Sequence, residues 1–413
     1  MFFLYNELVT FVGFCIKILA AFNPKMRLFV DGRSTVFETL ASKISSEDKS
    51  IWFHAASLGE YEQGLPVMEK VKTNFPDHKI VLTFFSPSGY EVRKNNSVAD
   101  VTVYLPLDTK FNAEKFVDLV HPEMVFFIKY EFWPNYLREL KNHKIATYLI
   151  SGIFRKDQLF FRWYGGFYRA ALDSFEHFFV QNTTSKDLLL QLGKSNVTVS
   201  GDTRFDRVTA ILEKDNHLDF ITEFKDNKLT IVVGSSWPKD EKILVDYINS
   251  MTDQVKFIIA PHNIKKEQIQ ELRKSIVKKT VLFSEREGKN LSDYDVFIID
   301  TIGILTKIYS EADIAYVGGG FGNPGVHNLL EPATFGVPIV LGPNYSHFAE
   351  ATALAHLGGC TVISNEKELK ETLDNLIQNE TIREEKGHIC STFVKMNTGA
   401  LATILKFISN RPL

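Results

Sequence analysis

The sequence predicts an α/β protein of two doubly wound parallel-sheet units with a hydrophobic helix at the start of the chain, and three observations predict it. Short β-rich apolar runs alternate with longer stretches of helical period, the pattern of parallel strands joined by crossover helices. A polar stretch carrying Gly and Asp, residues 201–228, interrupts that alternation once. Residues 1–22, MFFLYNELVTFVGFCIKILAAF, are mostly apolar. A length of 413 residues fits two or three domains. With 45% hydrophobic and 23% charged residues the composition is globular and not that of a disordered chain. A net charge of -3 leaves no global basic field, so no nucleic-acid partner is expected. Cys15, Cys360 and Cys390 are far apart and form no CxxC, which predicts neither a disulfide framework nor a zinc site and fits a reducing compartment.

The apolar start is about as long as the roughly 20 residues a bilayer-spanning helix needs. Asn6, Thr10, Gly13 and Lys17 recur at i, i+4, i+7 and i+11, so the helix carries one narrow polar stripe and suits a membrane interface. Glu7 and Lys17 would each cost about 2.5–3.5 kcal/mol at the bilayer centre. No basic residue precedes the run, which argues against a signal peptide. If the segment spans, Lys25, Arg27 and Arg33 keep the rest of the chain cytoplasmic. The alternative is a buried core helix.

The first unit is expected to contain strands at 50–54, 80–84, 101–105, 124–129, 145–150 and 177–180. The second is expected to contain them at 229–233, 255–260, 281–283, 296–299, 314–317 and 338–341. The expected boundaries are a membrane-associated helix 1–22, a first domain 23–203, a linker 204–228, a second domain 229–395 and a terminal segment 396–413. In doubly wound sheets ligands bind beyond the carboxyl ends of the strands, so function is sought there.

The first strand runs into HAASLGE, which sets Glu60 at a strand-to-helix corner. There the positive end of a helix favours a carboxylate, which can accept a proton; Ser57 and Glu60 read equally as an S-x-x-E capping box. The fourth strand ends in KYEFWPN, which puts Glu131 at a second corner, where it either serves a reacting centre or pairs with Lys129 or Arg138. In the second unit, Gly234, Ser235 and Ser236 follow a strand and can cradle a phosphate. Pro261 and His262 end the next strand and present backbone and imidazole, although a lone His is often structural. Ile302, Gly303 and Ile304 form a further turn. Gly318, Gly319, Gly320 and Gly322 let main chain approach a ligand closely. Asn328, Leu329, Leu330 and Glu331 then open a helix, where the carboxylate can bind a ribose diol or close a capping box. Residues 153–170 interleave Arg155, Lys156, Arg162 and Arg169 with seven aromatics, readable as a lipid-headgroup surface or as core packing.

Taken together, HAASLGE, KYEFWPN, the GDTRFD run and GVHNLLEPATFGVPIVLGP resemble the lipopolysaccharide Kdo transferases, which move 3-deoxy-D-manno-octulosonic acid (Kdo) from CMP-Kdo to lipid IVA. The resemblance covers nearly the whole chain. It implies a GT-B architecture of two Rossmann-like domains, with the C-terminal helix crossing back to the first. It implies Glu60 as general base, and Glu131 and Arg204 as transition-state stabilisers. It assigns CMP contacts to Pro261 and His262, to Ile302, Gly303 and Ile304, and to Asn328, Leu329, Leu330 and Glu331. His262 stands where the family more often has Arg, and Ile304 where it more often has an acid. The reaction expected is inverting transfer with no cofactor and no metal, at the cytoplasmic face of the bacterial inner membrane, with CMP-Kdo, lipid IVA and the membrane surface as partners. Rival readings are a sugar-nucleotide epimerase or hydrolase of the same architecture, or a non-catalytic nucleotide-sugar sensor.

Overall fold

The computed structural model describes residues 1–95, 97–251, 255–323 and 325–409. The chain divides into two compact units, one of residues 1–207 with 398–413 and one of residues 208–397. Each is built on a seven-stranded, wholly parallel sheet.

The first sheet contains β1 (Lys49–Ala55), β2 (His78–Phe84), β3 (Val101–Tyr104), β4 (Pro122–Ile128), β5 (Ala146–Gly152), β6 (His177–Val180) and β7 (Val197–Val199), in the order β3-β2-β1-β4-β5-β6-β7. The winding reverses between β1 and β4. Alternate residues of β1 feed two faces: Trp52 packs with Val81, Val125 and Phe127, while Ile51 and Phe53 pack with Ile80, Leu82 and Phe126. Each such fully buried side chain contributes about 1.5–3 kcal/mol. The helix Leu58–Asn74 lies close on β4, since a Cβ on Gly64 would fall 2.2 Å from Ile128 Cδ1. The C-terminal helix Ala400–Ser409 belongs to this unit and inserts Ile404 and Ile408 into the second face. Residues 410–413 of the expected terminal segment lie outside the described residues.

The second sheet contains β8 (Leu229–Ser236), β9 (Val255–Pro261), β10 (Thr280–Leu282), β11 (Val296–Ile298), β12 (Ile314–Val317), β13 (Ile339–Leu341) and β14 (Cys360–Val362), in the order β10-β11-β9-β8-β12-β13-β14. Its reversal lies between β8 and β12. The twelve expected strands all form, with ends no more than three residues from those expected. β7 and β14 were not expected: each is a three-residue edge strand with a central threonine, too short to read as an apolar run.

Residues 204–228, expected as a linker, contain the helix Asp219–Lys225, whose Ile221 and Phe224 are fully buried, with Phe224 against Phe297 of β11. The polar residues around them masked this local apolar pair. The N-terminal helix Phe2–Ala20 is not a core helix. It docks on the first unit along one side, with the Tyr5 hydroxyl donating to Asp108 at 2.8 Å, Asn6 Oδ1 accepting from Lys110 N at 2.8 Å, and Gly13 against Leu107. Asn6 and Gly13 of the polar stripe thus face protein, while Phe3, Leu4, Leu8, Phe11 and Phe14 point outward and are exposed.

Candidate functional site

In the first unit the candidate side chains gather beyond the ends of β1 and β4, the two strands at the winding reversal, where a doubly wound sheet opens a binding crevice. Glu60, the third residue of the helix Leu58–Asn74, is buried. The Ser57 hydroxyl donates to Glu60 Oε2 and does not cap the helix amides, so the capping box does not form. Lys129 Nζ stands 3.9 Å from Glu60 Oε1.

Glu131 is also buried and pairs with neither Lys129 nor Arg138. Trp133 Nε1 donates to its Oε2 at 3.1 Å and also lies 3.0 Å from His54 Nε2. An indole N–H only donates, so His54 Nε2 accepts and the imidazole proton sits on Nδ1, an assignment made from the hydrogen-bond pattern. Nδ1 then donates to Thr83 Oγ1 at 2.8 Å, where Trp52 Nε1 also donates at 2.8 Å. The fully buried His54, whose Nε2 also lies 3.4 Å from Glu131 Oε2, thus orients Trp133 and Glu131 together.

Asp108 holds the same corner from another loop. It accepts from the amides of Asn135 at 3.1 Å and Tyr136 at 3.0 Å, the first-turn donors of the helix Pro134–Asn142, and from Tyr5 of the N-terminal helix. Burial pushes its carboxyl up to about 6. Arg204 is reached through the Glu60 helix: Gln63 Nε2 donates to both Asp202 oxygens at 3.2 Å, and Arg204 Nε and Nη2 each meet Asp202 Oδ2 at 2.9 Å. Sequence reasoning missed His54, Thr83, Asp108 and Asp202. The one available signal was a polar His at a fully buried position of an otherwise apolar strand.

In the second unit, the loops after β8, β9, β11 and β12 converge. His262 stacks on Trp237 with centroids 4.5 Å apart and lies 4.4 Å from the His327 ring. Trp237 Nε1 donates to His327 Nε2 at 2.8 Å, which leaves that imidazole's proton on Nδ1. Burial lowers both histidines below their ordinary value. Asp240, fully buried, accepts from Gly319 N at 2.8 Å, Trp237 N at 2.9 Å and the Tyr316 hydroxyl at 3.0 Å, pinning the glycine loop. Gly319 has φ +95°, and a Cβ on Gly320 would meet Gly342 N at 2.6 Å. These glycines therefore serve close backbone packing as well as ligand approach.

The expected phosphate cradle at Ser236 is corrected. Its hydroxyl turns inward to Glu241 Oε1 at 2.9 Å and the residue is buried. Asn328 precedes the short helix Leu330–Thr334 and does not stand inside it. Its amide donates to Glu331 Oε1 at 2.8 Å, and the Thr306 hydroxyl donates to Glu331 Oε2 at 2.7 Å. That last bond ties the Asn328–Glu331 loop to the turn of Ile302, Gly303 and Ile304, in which Ile302 is exposed and Gly303 has φ +93°. A D-x-D spacing does occur at Asp293 and Asp295, but it precedes β11, at the sheet end opposite these loops.

Of residues 153–170, Phe154 and Phe160 join the core and Arg169 bonds the carbonyls of Phe160 and Arg162, while Trp163 and Tyr164 are exposed. The segment is thus part core and part surface.

Residues 32–207 match the family model of 3-deoxy-D-manno-octulosonic-acid transferase (kdotransferase). The chain is 30% identical over 347 residues to the 3-deoxy-D-manno-octulosonic acid transferase of Aquifex aeolicus, covering 82% of this chain and 89% of that one. It is 28% identical over 381 residues to the transferase of Chlamydophila psittaci, covering 86% of each. Among solved structures, UDP-GlcNAc 2-epimerase from Neisseria meningitidis superposes with a TM-score of 0.61 at 15% identity, over 88% of this chain and 100% of that one, a likeness of fold. With the two Rossmann-like sheets and the relatives aligned over most of its length, this chain belongs to the 3-deoxy-D-manno-octulosonic acid transferases, glycosyltransferases of lipopolysaccharide biosynthesis.

Proposed function

We propose that this transferase moves Kdo from CMP-Kdo to lipid IVA, with inversion and without a metal ion, at the cytoplasmic face of the bacterial inner membrane. The observation that carries the reading is the pair of buried carboxylates, Glu60 and Glu131, at the ends of the two strands where the first sheet reverses. Glu60 takes the proton of a primary sugar hydroxyl as its oxygen bonds to the anomeric carbon. The bond from that carbon to the phosphate breaks on the opposite face, and its electron pair leaves with CMP. Ser57 orients the base; Glu131, held by Trp133, stabilises the positive charge that develops at the reacting carbon, and Arg204, held by Asp202, the negative charge that builds on the departing phosphate. CMP is assigned to the convergent loops of the second unit: Pro261 and His262, Ile302 to Ile304, and Asn328 to Glu331.

The acceptor is a lipid, and the outward apolar side of the N-terminal helix fits a bilayer surface. A helix held to protein by Tyr5, Asn6 and Gly13 on one side buries the other side in lipid without crossing. The test is incubation of the full chain with CMP-Kdo and lipid IVA and mass measurement of the lipid. A gain of Kdo units supports transfer; release of free Kdo with the lipid unchanged overturns it in favour of hydrolysis. Vesicle flotation of the Phe11→Lys, Phe14→Lys double variant tests the surface: loss of flotation supports it, and undiminished flotation overturns it.

A further inference from the structure

We infer that Lys129 is a donor-binding residue whose ammonium holds the carboxylate borne by the carbon under attack. This rests on the Kdo-transfer reading and deepens it by assigning a group to the donor's own negative charge.

The first ground is backbone. Lys129 directly follows β4 and adopts φ +71°, a left-handed conformation that side-chain-bearing residues rarely take, and its amide is locked to the Ile150 carbonyl at 2.9 Å. Non-glycine residues held this way cluster at working sites. The second ground is the state of the ammonium. It passes the Tyr130 ring at 5.1 Å and stops 3.9 Å from Glu60 Oε1, an ion-pair distance but too long for a hydrogen bond. Among the described residues it makes no hydrogen bond, although its side chain is only 28% exposed. Three donors on a largely buried cation are thus left for something that arrives.

The third ground is the geometry of the reaction. A general base lies about 2.6–3.2 Å from the hydroxyl it deprotonates, and that oxygen about 3–3.5 Å from the carbon it attacks. In a 2-ulosonic acid the carboxylate is bonded to that same carbon. A cation flanking the base therefore lies in the shell the carboxylate must occupy. The fourth ground is charge. Glu60 and Glu131 already place two carboxylates at this corner, and the donor adds a carboxylate and a phosphate. Arg204 is engaged by Asp202 through both Nε and Nη2. The ammonium of Lys129 offsets the repulsion that the donor would otherwise meet.

The experiment is steady-state kinetics of wild type, Lys129→Met, Lys129→Arg and Lys129→Gly with CMP-Kdo and lipid IVA varied separately, alongside calorimetric binding of CMP and thermal melting. Lys129→Met is expected to raise the donor KM about tenfold or more, the scale of a lost charge-assisted bond, with the lipid KM within about twofold. CMP, which lacks the sugar carboxylate, binds wild type and Lys129→Met alike. Lys129→Arg retains most donor affinity. Lys129→Gly relieves the backbone and melts no lower than wild type, yet shares the donor defect, which separates binding from folding. A donor KM unchanged in Lys129→Met, while wild type transfers Kdo, overturns the inference alone; a rise confined to the lipid KM moves the ammonium to an acceptor phosphate and overturns it equally. A wild type inert toward CMP-Kdo overturns the transfer reading and this inference with it.

Discussion

The strand ends of the two units are built from different materials. In the first, carboxylates meet hydroxyl, indole and ammonium groups: Glu60 with Ser57 and Lys129, Glu131 with Trp133. In the second, the acids are each held by donors from more than one segment. Asp240 is held by two amides and a phenol, and Glu331 by Thr306 and Asn328, while rings and glycine backbone line the loops. A carboxylate tied by several donors is fixed in place, whereas Glu60, which meets one hydroxyl and a loose cation, has more of its acceptor sites open. Under the proposed transfer reading, proton movement falls to the first unit and ligand holding, by shape and stacking, to the second.

The largest break in that comparison is Glu60→Gln. It keeps the size and the Ser57 contact but removes the base, and turnover is expected to fall by about 100- to 10,000-fold, with CMP affinity unchanged by calorimetry. Unchanged turnover would remove Glu60 from the mechanism. Next is Asp240→Ala, which strands two buried amides and a buried phenol; a loss of about 2–5 kcal/mol is expected in denaturant titration. CMP affinity should fall with it, because the Gly319 loop loses its anchor. If stability drops while CMP binding is intact, the loop is scaffold only.

A smaller effect comes from Asp108. Its folded value of about 6 lies above the roughly 3.9 of an unfolded Asp. The folded state therefore binds more protons between those values. Stability from this group is full below about pH 4 and is lost as pH rises to about 6, by on the order of 2–3 kcal/mol. Asp108→Asn should flatten that segment of the stability-versus-pH curve; an identical slope in the variant would exclude Asp108 as its source. The smallest effect is at His262 and His327, whose folded values lie below the ordinary 6.5 because of burial. Here the unfolded state binds more protons, so stability is full above about pH 6.5 and falls as acidity increases. His262→Phe, which keeps the stack on Trp237, should blunt that acid loss. An unaltered acid limb would show that His262 does not titrate with folding.

The central strands were legible because β1, β4, β8 and β12 are each centred on an unbroken apolar run, the mark of strands covered on both faces. The edge strands β7 and β14 were not, since three residues around a threonine carry no periodic signal. Glu60 and Glu131 were legible as acids at strand-to-helix corners, and the fold decides between the two readings open at each: Ser57 bonds Glu60 and not the helix amides, and Lys129 stands beside Glu60 and not Glu131. In the Gly-Ser-Ser turn the sequence could not show that the Ser236 hydroxyl would be taken by the half-buried Glu241, five residues on.

By itself the sequence determined the alternation of strands and helices, the apolar face of the first helix and the placing of acids just after strands, all of which follow from periodicities of a few residues. Tertiary structure alone decided that the indole of Trp133 bridges His54 to Glu131 across 77 positions, that Asp108 caps a helix starting at Pro134, and that Lys129 turns toward Glu60. A hydrogen bond or ion pair depends on distances of a few ångströms between segments remote along the chain, and those distances exist only once the sheet has set β1 beside β4.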